Sequence, residues 1–327
     1  MTFDLPSLLL VATAVAFAYS IGAHYTGASM GMPYAAGAIR ASRALLVMAP
    51  LTVLGAVLAS EGVETTVGHG LLQIPVVPLV VALAIIAGAF ALTTAYNFAA
   101  IPTSTIQILV FSVVGAGLAA GIPVHWAQVG FLLGLWAIAP PAAFGLGYLL
   151  VRVARAGGVR ASDSGSIARP VAFTLIAVGA GASFAMGAND VSNATGAFLM
   201  TGLLSPATAA LVGGLGIAAG VLTWGQPLLR RVAFDVVKLD PVMATSAQLA
   251  QSVVVLVSVA FGYFTSMNQA LVAAMLGTGV ARRQEGIRWR VVRSILLGWT
   301  VGPLSGAAAG FGLTWLLRAV GILGASP

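Results

Sequence analysis

Gly22-Ala23-His24-Tyr25 and Gly187-Ala188-Asn189-Asp190-Val191-Ser192-Asn193-Ala194-Thr195-Gly196 decide the fold, because they open the two copies of a duplicated chain. They align without gaps at an offset of 165 (residue 22 on residue 187), and identities continue at Gly31/Gly196, Gly37/Gly202, Leu46/Leu211, Val47/Val212 and Gly55/Gly220. A second block repeats late in each copy. Pro102-Thr103-Ser104-Thr105-Ile106-Gln107 aligns on Phe264-Thr265-Ser266-Met267-Asn268-Gln269. Gly115/Gly277, Gly117/Gly279, Trp126/Trp289, Trp136/Trp299 and Pro140/Pro303 then keep the register. Apolar composition produces scattered matches, but ordered ones at Trp, Pro, Gln and paired Gly are hard to obtain by chance.

The solvent of this chain is lipid. Hydrophobic residues make up 59% of it and charged residues 7%, against about 25% charged in soluble domains. Several apolar stretches approach or exceed the ~20 residues that span a bilayer as a helix. The 40 glycines spread through them suit close helix packing in lipid. With no cysteine, disulfides, thiolate zinc sites and a Cys nucleophile are excluded. The net charge of +7 does not indicate nucleic acid, because the basic residues fall in loops and serve topology. Asp4 in place of a basic start argues against a cleaved leader.

Loop charges orient the copies. Arg40 and Arg43 align with neutral Ser205 and Thr208, and Glu61 and Glu64 align near the basic loop from Gln226 to Arg231 that also holds Lys238. The neutral loop Gly121 to His125 aligns with Arg282, Arg283, Arg288, Arg290 and Arg293. Basic loops mark the inner face, so equivalent loops lie on opposite faces. The expected fold class is an all-α polytopic membrane protein of two inverted-topology repeats, with about 10–12 transmembrane helices. Repeat one covers 1–151, a basic cytoplasmic linker 152–169, and repeat two 170–327. Crossings are expected near 44–60, 76–99, 103–120 and 128–151, then 209–225, 244–263, 265–281 and 291–317. The stretches 5–39 and 170–204 are too long for single helices and Gly-rich at their centres. They are expected to be discontinuous helices or hairpins lining a cavity, as are 102–107 and 264–269.

Asp190 is the one acid of eight flanked by hydrophobic sequence on both sides; the others lie at the chain start or near Arg, Lys, Gly or Pro clusters. A charge at membrane depth costs several kcal/mol and marks an ion or substrate pathway. Asn, Ser, Thr and Gln around it offer donors to an anion and oxygens to a cation. Broken helices expose N-terminal N–H groups, each end worth roughly +0.5 charge. For a bound dianion, two such ends supply about +1 against −3 from the dianion and Asp190 together. Neither motif holds a Lys or Arg, and an apolar interior does not tolerate the remainder. A cation must therefore enter with the anion, either sodium held by carboxylate and hydroxyl oxygens at Asp190 or a proton on Asp190. This favours symport over a passive pore.

Gly187 to Gly196 resembles the signature of the inorganic phosphate transporter (PiT) family, whose halves each carry G-x-N-D-x-x-N. Thr103-Ser104-Thr105 after Pro102, and Thr265-Ser266, resemble its second motif, P-x-S-T-T-H. The resemblance implies sodium- or proton-coupled uptake of a tetrahedral oxyanion between the repeats, with no other cofactor. By position it implies site roles for Asn189, Asp190 and Asn193, and for Ser104, Thr105 and Ser266. Thr265, Gln107 and Gln269 join them, with His24 and Tyr25 aligned on the site.

The chain departs from that pattern in half one. His24-Tyr25 stands for Asn-Asp, Ala28 for the second Asn, and Gln107 and Gln269 for His. Ile21 to Gly31, Tyr34 and Gly37-Ala38-Ile39 are similar to a sulfate-permease branch of the family that also lacks the first-half Asn-Asp pair. Hydrogen phosphate carries O–H donors that a carboxylate accepts, whereas sulfate has only acceptors. Losing one carboxylate therefore shifts the expectation to sulfate by a narrow margin over phosphate.

Other readings stand beside these. Ser104, Thr105, Thr265 and Ser266 can simply cap helices; Gly115/Gly117 and Gly277/Gly279 suit packing, Trp126 and Trp289 the interface, His69 and His125 loops. An anion channel needs a continuous polar stripe, which is not visible, and an intramembrane enzyme needs a metal cluster or triad, which is not visible either. The expected setting is a prokaryotic plasma (inner) membrane, multi-pass, with the bilayer and the anion as partners and a homodimer left open.

Overall fold

The computed structural model describes residues 4–99, 101, 103–158, 169–232, 240–283 and 289–323. Thirteen helices fill them. The first copy contains α1 (Leu5–His24), α2 (Thr26–Ala35), α3 (Ala41–Ala59), α4 (Glu61–His69), α5 (Leu79–Ala99), α6 (Thr105–Ala120) and α7 (Trp126–Ala156). The second contains α8 (Arg169–Asp190), α9 (Ser192–Thr201), α10 (Pro206–Val232), α11 (Pro241–Ala260), α12 (Met267–Ala281) and α13 (Trp289–Ala319). Seven described segments are long and apolar enough to cross a bilayer, with α6 and α12 as shorter apolar helices. The chain is a multi-pass membrane protein, a setting consistent with the plasma membrane.

Local chemistry sets the helix ends. Asp4 caps α1 by accepting from the Ser7 N–H at 3.1 Å. Asp240 does the same for α11, accepting from Val242 and Met243 N–H at 2.8 and 2.9 Å, with Pro241 at the first position. Gly121 and Gly202 end α6 and α9 at φ of 74° and 66°, where a side chain would be strained.

The copies pack crosswise. α1 lies against α10 and α8 against α3, while α13 lies on α6 and α7 on α12. The glycines show why. A Cβ on Gly22 would run into the Ile217 carbonyl, and one on Gly187 into the Thr52 carbonyl. Gly55 abuts the Phe184 carbonyl and Gly220 the Tyr19 carbonyl. Each pair maps onto the other under the repeat alignment. Such reciprocal contact is what a two-fold axis generates, and with that axis in the membrane plane the copies are inverted repeats. Without glycine at these points the helices could not approach this closely.

The expected breaks are present. The stretch Leu5–Ala35 is interrupted at Tyr25 and the stretch Arg169–Thr201 at Val191. Thr103–Ser104 and Tyr263–Ser266 are non-helical lead-ins to α6 and α12.

Four expectations are corrected. Asp190 is not the only acid inside: Glu64, expected beside a loop, is fully buried in α4. α4 itself was not expected; its Gly68 faces Leu199, and Gly196 of α9 faces Val67, so tertiary packing rather than local pattern places it. His69 ends that helix instead of lying in a loop, and α7 runs through 152–156, where the linker was expected to begin. Residues 159–168 of that linker, Pro102, Asp235, Lys238, Glu285 and Arg288, with the side chains of Arg231, Trp289 and Arg290, lie outside the described residues.

Candidate functional site

Four helix ends meet at the centre: the two breaks and the two non-helical lead-ins. Ser104 and Ser266 cap α6 and α12, each oxygen accepting the backbone N–H of the glutamine three residues on, Gln107 and Gln269, at 3.4 Å. Both serines therefore do serve as caps. The caps also aim two helix N-termini at one place, which is where an anion is stabilised by free N–H groups and the helix dipole.

All eleven expected site residues are buried. Tyr25, Ser104, Thr105, Asn189, Asp190, Asn193 and Ser266 are at 0% exposure, and His24, Gln107, Thr265 and Gln269 at no more than 6%. The structure joins them across the two copies. Gln107 and Gln269 exchange amide hydrogen bonds, Gln107 Nε2 to Gln269 Oε1 at 3.3 Å and Gln269 Nε2 to Gln107 Oε1 at 3.0 Å. This reciprocal pair sits where the two-fold axis requires self-complementary contact.

Asn189 grips the α12 lead-in with both ends of its amide. Its Nδ2 donates to the Thr265 carbonyl at 2.8 Å, and its Oδ1 accepts from the Thr265 N–H at 3.0 Å. His24, its counterpart, holds the α6 lead-in differently: Nε2 lies 3.1 Å from the Thr103 carbonyl and Nδ1 2.5 Å from Asn97 Oδ1. Asn97 is turned that way because its Nδ2 donates to the Ser20 carbonyl at 2.9 Å and hydroxyl at 3.0 Å. Asn268 completes the cluster, with Nδ2 2.8 Å from the Thr103 carbonyl and 3.2 Å from His24 Nε2.

Thr105 ties the two breaks together. Asn193 Nδ2 donates to its Oγ1 at 2.8 Å, and the Tyr25 hydroxyl lies 2.9 Å from the same oxygen. The Thr105 backbone N–H also points to the Tyr25 oxygen at 3.4 Å. Beside them, Asp190 is surrounded by Asn189, Asn193 and Tyr25. These contacts are loose: among the described residues no well-aligned hydrogen bond reaches either Asp190 carboxylate oxygen or Asn193 Oδ1. Three buried acceptor oxygens without donors are costly. They are suited to a hard cation, which takes oxygen ligands.

Several buried polar groups were not singled out in the sequence. Asn97 and Asn268 belong to the His24 cluster. Gln248 and Gln251, three apart on α11, bond to each other, and Gln248 Nε2 donates to the Ala28 carbonyl at 2.9 Å. An amide inside an otherwise apolar span was the available signal for all four. Glu64 is the fifth: Oε1 accepts from the Thr195 hydroxyl at 2.6 Å, and Oε2 has no partner. Burial pushes its carboxyl up to about 7, with Glu61 nearby adding to the effect.

Inverted repeats, two broken spans and a buried polar centre define a multi-pass membrane transporter. The chain belongs to the phosphate transporter family, whose sequence signature matches residues 21–169 and again residues 158–310. It is similar to the sulfate permease CysP of Bacillus subtilis, 28% identical over 290 residues, or 88% of this chain and 81% of the permease. It is 27% identical over 323 residues to a probable low-affinity inorganic phosphate transporter of Mycobacterium tuberculosis, covering 93% of this chain and 76% of that one. A solved structure described as the sodium-dependent phosphate transporter superposes with a TM-score of 0.86 at 21% identity, covering 96% of this chain and 99% of the other.

Proposed function

We propose that this protein is a cation-coupled symporter that carries a tetrahedral inorganic oxyanion by alternating access, with sulfate preferred over phosphate and sodium as the coupling ion. Residues 1–151 and 170–327 act as the two repeats, joined by 152–169. The observation that carries the reading is the set of three oxygens on Asp190 and Asn193 that no well-aligned hydrogen bond reaches among the described residues, buried beside the starts of α6 and α12. The helix starts, with Ser104, Thr105 and Ser266, offer donors to the anion. The Asp190 and Asn193 oxygens hold sodium next to it. Each ion offsets the other's charge, so neither enters this buried centre readily alone. Crosswise packing of the two copies supports alternating access, because one copy can rock on the other about the fixed site. The role is carriage of the ions, without bond chemistry.

Relatives of this chain are named for both anions, and the solved neighbour is described as sodium-dependent. Sulfate is preferred because, among the described residues, Asp190 is the one carboxylate placed at the site, and it is committed to the cation rather than to an anion proton. Uptake of labelled sulfate and labelled phosphate into proteoliposomes, with and without a sodium gradient, tests this. Expected is sodium-driven accumulation of sulfate that phosphate inhibits weakly. Phosphate accumulation that excess sulfate leaves untouched would reverse the substrate assignment, and uptake driven only by a proton gradient would reverse the ion.

A further inference from the structure

We infer that Tyr25 has replaced one of two symmetry-related cation sites, so that a single coupling sodium ion, held at Asp190, accompanies each oxyanion. This rests on the symport reading above and specifies its stoichiometry.

The repeat places Tyr25 on Asp190 and Ala28 on Asn193. In the second copy these positions supply three buried oxygens that no well-aligned hydrogen bond reaches among the described residues. In the first copy they supply a methyl group and a phenol. The phenol oxygen is already engaged, by Thr105 Oγ1 at 2.9 Å and the Thr105 N–H at 3.4 Å, and the hydroxyl also lies against the Asp190 carboxylate. The Ala28 carbonyl is taken by Gln248 Nε2 at 2.9 Å. The neighbouring Thr26 hydroxyl donates to the carbonyls of Ala23 at 3.0 Å and Gly225 at 2.9 Å. Among the described residues, positions 25, 26 and 28 therefore turn no free carboxylate or amide oxygen toward the centre, and the Tyr25 hydroxyl holds the break to α6 by a direct bond.

Electrostatics gives the same answer. A carboxylate at position 25 would add one negative charge, and a second cation would cancel it. A neutral phenol removes both together. With a dianion, Asp190, two helix starts worth about +1 and one cation, the loaded site carries about −1. The sum is the same with a second carboxylate and a second cation. The replacement thus changes the number of ions carried without changing the charge of the loaded centre.

Equilibrium accumulation measures that number directly. The full chain is reconstituted in liposomes with the membrane potential clamped at zero and a tenfold inward sodium gradient, and the inside-to-outside sulfate ratio is read at steady state. One sodium per anion gives about tenfold accumulation and two give about a hundredfold. We expect about tenfold for the wild type. Tyr25→Phe should keep that ratio while raising the KM for sulfate, because Thr105 loses a hydrogen bond but no ion is lost. Tyr25→Asp combined with Ala28→Asn should raise the ratio toward a hundredfold. A wild-type ratio near a hundredfold would overturn the inference, as would a well-folded double variant that stays at tenfold. The wild type and Tyr25→Phe decide the matter even if the double variant does not fold. Failure of the symport reading itself looks different, since no sodium gradient would then concentrate sulfate at all.

Discussion

The break at Tyr25 and the break at Val191 occupy equivalent places, yet one is closed and the other open. At the first, an imidazole and a phenol use their polar atoms on Asn97, Thr103 and Thr105. At the second, Asn189 does the same clamping work on Thr265 with both amide ends, but among the described residues no well-aligned hydrogen bond reaches the Asp190 carboxylate or the Asn193 oxygen. Two jobs are separable in this comparison. Pinning the lead-in loop is needed in both copies and tolerates a change from Asn to His. Holding charge has been concentrated in one copy. Duplication supplies the scaffold twice, while the chemistry is carried once.

The largest expected effect comes from removing that one charge. Asp190→Asn should reduce sodium-driven uptake by about a hundredfold or more while the protein still inserts and purifies normally, because the carboxylate touches Asn189, Asn193 and Tyr25 without a well-aligned hydrogen bond and an isosteric amide keeps those contacts. Unchanged concentrative uptake in that variant would show that the open break is not the coupling site, and failure to insert would assign the side chain a structural role.

Next in size is the clamp. Asn189→Ala leaves the Thr265 N–H and carbonyl buried without partners, at a cost of about 1–3 kcal/mol each. A clear fall in thermal midpoint together with lost uptake is expected. His24→Asn should be milder, since asparagine is the clamp the other copy already uses. Equal losses in both would break the equivalence of the two clamps.

Glu64 supplies a pH-dependent difference between the copies, because its counterpart in the repeat is Leu229. Its folded pKa of about 7 exceeds the ordinary 4.5, so the folded protein favours the protonated form. Stability is then full below the ordinary value and falls as pH rises through the folded value. The thermal midpoint of the detergent-solubilised protein should drop between about pH 4.5 and 7, and Glu64→Gln should flatten that slope. An unchanged slope would mean Glu64 ionises without penalty. Smallest is the Gln107–Gln269 pair, for which a double-alanine cycle should give a coupling of about 0.5–1.5 kcal/mol.

The duplication was legible because its markers resist lipid-driven drift: Trp136/Trp299, Pro140/Pro303 and glycines such as Gly22 and Gly187 that meet a carbonyl across the two-fold. The breaks were legible because 5–39 and 170–204 exceed a bilayer span with glycine at their centres. Asp190 could be found by burial logic alone. What could not be read is pairing between distant segments. That Asn97 orients His24, or that Gln248 reaches the Ala28 carbonyl from 220 residues away, depends on tertiary approach that no local pattern encodes. Glu64 was misread for a related reason: beside Gly62 and a second acid it resembles a loop, and only docking of α4 on α9 buries it.

Equilibrium binding of labelled sodium to the purified wild type and Asp190→Asn, each with and without sulfate, tests the central claim most directly. Linkage requires that if sodium and sulfate share the open break, each tightens the other by the same factor. The account predicts that sulfate strengthens sodium binding to the wild type and that Asp190→Asn abolishes both the binding and its sulfate dependence. Sodium binding that survives in the variant with the same response to sulfate would contradict it.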